Sequence, residues 1–149
     1  RNVKSIDLST LELTYITEMT ITVGLIMAAI GTFLGGVWAN ESWGRYWGWD
    51  AKETWALVIV LWYAIVLHLR FIPGMKSKFL FSVLAMWSYW TVLMTFFGVN
   101  YYLSGLHSYA KGDAPPFPMW GTITIIVLVF FTIASSLLYI RSKKNKIQE

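Results

Sequence analysis

Two histidines and a dense run of tryptophans are the residues of this 149-residue chain whose types could do chemistry. The run is WANESWGRYWGWD, Trp38–Asp50, with Trp38, Trp43, Trp47 and Trp49 inside it and Trp55 just beyond. An indole has a large apolar face and one polar N–H, so such a cluster either anchors a membrane edge or covers something flat. An aromatic belt needs only one or two such rings at a helix end. The series Trp-Gly-Arg-Tyr-Trp-Gly-Trp-Asp exceeds that and favours a platform for a planar ligand. If residues 42–50 make a helical turn, Trp43 and Trp47 are four apart and share a face. Gly44 and Gly48 then remove bulk between the rings and let a ligand approach. Asp50 is also suited to cap a following helix, with Glu53 three positions on in a capping-box pattern. Arg45 is a cation suited to a carboxylate, though a solvated loop arginine is an equal reading.

His107 follows the third apolar run, on the same side as the tryptophans, where a neutral imidazole could ligate an iron or simply end a helix. His68 lies about 15 residues past Glu53, hence about 22 Å down a helix rising 1.5 Å per residue. An ionisable group at that depth faces a partner, a cavity or the wet inner surface. There is no cysteine, which excludes thiolate ligation, a thiol redox motif and a disulfide framework within this sequence.

The elements that must position these residues are membrane helices. The chain is 56% hydrophobic and only 13% charged, far from the quarter typical of soluble domains. Four stretches, Met19–Asn40, Thr54–Leu69, Phe79–Ala110 and Ala114–Ile140, contain no Asp, Glu, Lys or Arg. A bilayer requires about 20 residues of helix, and the shorter second stretch is completed by Arg70 reaching along its stem to the interface. The expected fold is all-α: a polytopic membrane protein of four transmembrane helices in one domain over 1–149, with an outer tryptophan-rich segment (38–53) and an outer loop (104–118). The helices are expected near Tyr15–Val37, Thr54–Arg70, Phe79–Leu103 and Met119–Ile140, after a short interfacial segment at 1–14 and before a basic tail. Gly24, Gly31, Gly35 and Gly36 give the first helix a small-residue face that permits close helix contact.

Nine of the twelve basic residues, at 1, 4, 70, 76, 78, 141, 143, 144 and 146, fall on one side of this path. The positive-inside rule makes that side cytoplasmic, with both termini, and puts the tryptophans and His107 outside. The net charge of +4 thus reflects topology rather than nucleic-acid binding. The first apolar run lacks the pattern of a cleavable signal. A chain opening on Arg1 is expected to be a piece of a longer one.

WANESWGRYWGWDAKETWALVIVLWYAIVLHLR resembles the WWD signature and following helix of the system II cytochrome c assembly proteins, the CcsA/ResC family, and FFGVNYYLSGLHSY resembles that family's next outer element. The similarity runs from about Glu18 to Tyr109 and keeps the order and spacing of both histidines. It implies haem b, as ligand and substrate, held at an outer site and joined to the CxxCH cysteines of an apocytochrome c. Trp43, Trp47, Trp49 and Asp50 match the signature, His107 matches an outer axial ligand of the haem iron, and His68 matches a histidine of a haem site within the membrane. The implied setting is a bacterial cytoplasmic membrane, with a CcsB/ResB-like partner or fused region and the lipid bilayer as neighbours.

Two departures stand out. Ala51 occupies the position where the family usually has proline, and the family's upstream outer histidine and second membrane histidine are absent from this sequence. The chain therefore carries at most half of each axial pair that the resemblance implies, and resembles the C-terminal portion of a holocytochrome c synthase, a fragment not expected to ligate haem alone. No catalytic acid or base can be named. The competing expectations are a haem transporter or chaperone without ligation activity, and a structural subunit whose tryptophans only anchor it.

Overall fold

The structure, a computed structural model, describes the backbone of residues 3–103, 105–106 and 116–148, with side chains between 9 and 145. About 85% is helical, and no strand occurs among the described residues. The chain divides into two compact units, Arg1–Gly112 and Asp113–Glu149.

The first unit contains α1 (Val3–Trp43), α2 (Ala51–His68), α3 (Lys78–Leu93) and α4 (Val99–Tyr102). A 3-10 turn, Leu69–Phe71, extends α2, and a π-helical turn, Met94–Gly98, joins α3 to α4. α2 packs against both α1 and α3, and α1 also touches α3. Three stretches of this unit, Ser9–Trp43, Ala51–Phe71 and Lys78–Tyr102, are long and apolar enough to cross a membrane, as is Met119–Asn145 in the second unit. The chain is thus a multi-pass membrane protein with the four expected spans.

Their outward faces are what lipid requires. Met19 and Phe33 on α1 are 70% and 73% exposed, and such surface is at home among acyl chains. Threonines in α1 satisfy their hydroxyls within the helix, as Thr14, Thr17, Thr20, Thr22 and Thr32 each donate to the carbonyl four residues back. Between helices, polar pins replace the missing hydrophobic drive. Trp62 on α2 donates through Nε1 to Ser88 Oγ on α3 at 3.0 Å, and Ser88 is fully buried. Thr95 reaches the Trp55 carbonyl at 3.4 Å.

Several boundaries differ from the expected ones. No break separates residues 3–14 from the first span: α1 runs unbroken from Val3 to Trp43. The first six residues of the supposed outer segment, WANESW, are therefore helix, because nothing before Gly44 stops it. Gly44 does, at φ +70, its amide donating to the Asn40 carbonyl at 2.8 Å in the αL geometry that ends helices. α2 starts at Ala51, three residues earlier than expected, and α5 (Met119–Gln148) carries its helix on through the basic tail. In this second unit the Pro118 carbonyl accepts from Gly121 at 2.9 Å and opens α5, while the Phe117 ring covers Gly121.

Candidate functional site

The loop 44–50 is shaped by one carboxylate. Glu53 Oε2 accepts from the Gly48 amide at 2.6 Å and the Asp50 amide at 3.3 Å, while Asp50 Oδ1 accepts from the Glu53 amide at 2.9 Å. This is the expected capping box, widened to include Gly48. Two acidic groups at a helix N-terminus also suit its positive end. The cap holds even with Ala51 in place of proline, since the hydrogen bonds, not a preset φ, fix the start.

Between the cap and the end of α1 the tryptophans do not form one helical face. Because α1 stops at Trp43, the expected four-residue pairing of Trp43 with Trp47 is absent. The rings instead make two edge-to-face pairs, Trp38 with Trp43 at 5.0 Å and Trp47 with Trp49 at 5.6 Å between centroids. Trp49 takes φ +58 and is 70% exposed, a conformation that costs a non-glycine residue about 1–2 kcal/mol. Gly48 opens no approach for a ligand. A Cβ there would fall inside the Arg45 guanidinium, so this glycine exists to seat Arg45.

Behind the loop lies a cavity of about 440 Å³. One wall is α1, through Ala28, Gly31, Thr32, Gly35, Gly36 and Ala39, a three-and-four spacing that keeps them on one face over about 16 Å of helix. The loop contributes Tyr46 and Trp47 beside Trp38; α2 adds Lys52, Glu53, Ala56 and Ile59, and the π-helical turn adds Thr95. The small-residue face was expected to bring helices together. A Cβ added at Gly24, Gly31 or Gly35 would meet nothing within 4 Å, so at these positions the missing side chains leave space instead. Only Gly36 permits a close approach, to the Tyr46 carbonyl.

Two polar details mark the loop end of this cavity. Lys52 Nζ donates to Asn100 Oδ1 of α4 at 3.0 Å. Trp47 Nε1 is buried and has no hydrogen-bond partner, a state that costs an indole about 1–3 kcal/mol and suits a site built to receive an acceptor.

Of the residues expected to form a site, Trp47 lines the cavity and Asp50 caps the helix beside it. Trp43 packs on Trp38, and Trp49 faces outward from Trp47. Gly105 lies against the Asp50 side chain, 3.5 Å from the place its own Cβ would occupy. His107, two residues along the sequence, lies outside the described residues. His68 stands at the opposite end of α2, about 25 Å away at 1.5 Å per residue, and is exposed. Its Nδ1 lies 2.7 Å from the Ala64 carbonyl of its own helix. A carbonyl only accepts, so Nδ1 is the donor in this contact. Arg70, next along, pairs with Glu18 of α1 and lies over the Phe71 ring at 5.0 Å.

Sequence reasoning passed over Asn100, Thr95 and the cavity role of the α1 stripe. A lone polar residue ending an apolar run was the available sign of Asn100. The π-helical turn had none beyond Gly98, whose missing side chain makes room for Met94.

These features define a helical membrane protein with an indole-walled cavity at one end of its spans. Residues 3–107 match the family of cytochrome c assembly proteins. Over 105 residues, 70% of the chain, it is 54% identical to the protein NrfI of Wolinella succinogenes. It is 44% identical over 71% of its length to the cytochrome c biogenesis protein CcsA of a Synechococcus strain, and 41% identical over 66% to that of Prochlorococcus marinus. The chain belongs to the cytochrome c assembly protein family. It spans 12% of the NrfI length and 35% and 31% of the two CcsA lengths.

Proposed function

We propose that this chain is the haem-holding part of a cytochrome c assembly protein, which presents haem b at the outer membrane face for attachment to the CxxCH thiols of an apocytochrome c. The observation that carries this reading is the cavity behind the tryptophan loop. Its volume falls within the range of about 300–1,000 Å³ usual for small-molecule sites, and its apolar walls with a few polar groups are the usual lining. Indoles at Trp38 and Trp47 can cover a porphyrin and keep water out, and the α1 stripe gives it room. Membership in the family supports haem as the occupant.

In this reading His107 is one axial ligand of the outer haem iron, and the second comes from outside this chain. Haem supplies the vinyl groups that the thiols attack; the protein's part is to hold the ring still beside them, which supplies proximity. His68, exposed at the far end of α2, serves a separate haem position within the membrane. The distribution of basic residues supports an Arg70 end in the cytoplasm and a tryptophan loop outside; the membrane of this reading is the bacterial cytoplasmic membrane, and the neighbour is a CcsB/ResB-like partner or fused region.

The test is holocytochrome c formation by the full-length protein in a strain lacking its own assembly system. Replacing both Trp38 and Trp47 by Ala is expected to remove haem from the purified protein and to abolish holocytochrome. Retained haem with lost holocytochrome would assign the tryptophans to attachment rather than binding. Full retention of both would reduce them to membrane anchors.

A further inference from the structure

We infer that Arg141, Lys143 and Lys144, with Lys146 following, form a cationic collar on α5 that binds the phosphates of anionic phospholipids. The collar depends on the continuity of the helix. The basic tail does not leave the helix after the span: α5 runs from Met119 through Gln148. At 3.6 residues per turn, positions 141, 143, 144 and 146 fall on different sides, and no arc wider than about 140° lacks one. They occupy about 7.5 Å along the axis. α5 contains no Asp or Glu. Among the described residues Arg141, Lys143 and Lys144 are exposed and make no ion pair.

Two aromatic residues set the depth of the collar. Trp120 and Tyr139, both exposed, stand 19 positions apart, about 28 Å of helix. A bilayer's hydrocarbon core is about 30 Å thick, and rings of this kind mark its two edges. The residues between them are uncharged and turn large apolar side chains outward, Phe130, Phe131 and Leu138 among them. Arg141 follows Tyr139 by two positions, so the collar falls in the headgroup layer, about 5–7 Å deep on each side. Its height matches that layer. A protein partner meets a helix from one side and needs a single charged face, whereas lipid headgroups surround a spanning helix on every side. The encircling placement of the cations fits the second. A guanidinium holds two phosphate oxygens at once, and an ammonium acts as a point charge. Zwitterionic lipids carry the same phosphate beside a cation of their own, so the collar selects for net negative charge. Bound lipids hold α5 at one depth, because sliding would draw the collar into hydrocarbon, where a charge is expensive.

Spin-labelled phosphatidylglycerol and spin-labelled phosphatidylcholine are the probes, each added to phosphatidylcholine bilayers holding the full-length protein. Electron paramagnetic resonance measures the fraction of each probe held at the protein surface. The wild type is expected to prefer phosphatidylglycerol by about fivefold or more, the effect of a single basic residue near an anionic surface being about fivefold. High salt should erase most of this, since at 1 M charges are screened beyond about 3 Å. Combining Arg141→Gln, Lys143→Gln and Lys144→Gln should bring the preference close to one. Phosphatidylcholine should be held as by the wild type, which also shows that the variant has folded. Arg141→Lys, which keeps the charge, should keep the preference. A triple variant that prefers phosphatidylglycerol as the wild type does would overturn the collar and assign the preference to other basic residues. Equal holding of the two probes by the wild type would also overturn it, leaving these cations to an acidic protein partner.

Discussion

The two ends of α2 are built on different principles. At its first residue, Asp50, Glu53, Lys52 and Asn100 tie a loop, a helix start and a distant helix together with hydrogen bonds, around a cavity. At its last, His68 is exposed and, among the described residues, hydrogen-bonds within its own helix, while the neighbouring Arg70, 60% exposed, pairs with Glu18 of α1, 24% exposed. One end is organised around a half-open cavity and the other around accessible groups. A site that must hold a ligand in one orientation needs the first arrangement, and a point of passage is served by the second.

The sharpest way to break this comparison is to exchange the histidines for alanine in the full-length protein. His107→Ala is expected to abolish haem retention at the tryptophan end, whereas His68→Ala leaves that site loaded and lowers only the supply reaching it. Absorbance of the purified variants measures both, and equal loss from either would mean that the ends are one site. Next in size is Gly35→Leu. The new side chain would grow into the open cavity, so haem binding should fall more than tenfold, by steric exclusion of the ring. Helix stability should hold or rise, since a helical glycine costs about 1 kcal/mol. Loss of folding instead would return the α1 stripe to a packing role.

Glu53→Ala removes the acceptor from two loop amides. The expected cost is about 1–3 kcal/mol per amide left without a partner, seen as a lower thermal midpoint and as rapid hydrogen exchange confined to Gly48–Asp50. Arg70→Gln, at the open end, should change the midpoint by less than about 1 kcal/mol, as exposed pairs do. The smallest effect belongs to Trp49→Asn. It relieves the left-handed backbone by about 1 kcal/mol but loses an edge-to-face contact worth about 0.5–1.5 kcal/mol, so the midpoint should scarcely move.

What could be read from the residues divides by how local each feature is. The spans are long uncharged runs, and helices are the structure such runs can adopt in lipid. The capping box depends on two residues three apart. The WWD resemblance led to the family because those residues are contiguous. The Trp43–Trp47 pairing failed because it presumed a helix through Gly44, whose positive φ ends the helix instead. Close packing at Gly24, Gly31 and Gly35 failed because a glycine stripe has the same spacing whether a neighbour fills the space or leaves it open. The two readings of Arg45 could not be weighed along the sequence, because only the folded loop shows its guanidinium over Gly48.

By itself, then, the sequence determined a four-span helical membrane protein, its helix cap and its family, all written in composition or within a few neighbouring residues. Tertiary structure alone decided that the α1 stripe forms one wall of a cavity, that Trp38 and Trp47 line it while Trp49 turns away, and that Lys52 meets Asn100 from 48 positions along the chain. These depend on how α1, α2 and the π-helical turn are set against one another, and the distance between separate helices has no counterpart in the spacing of residues along any one of them.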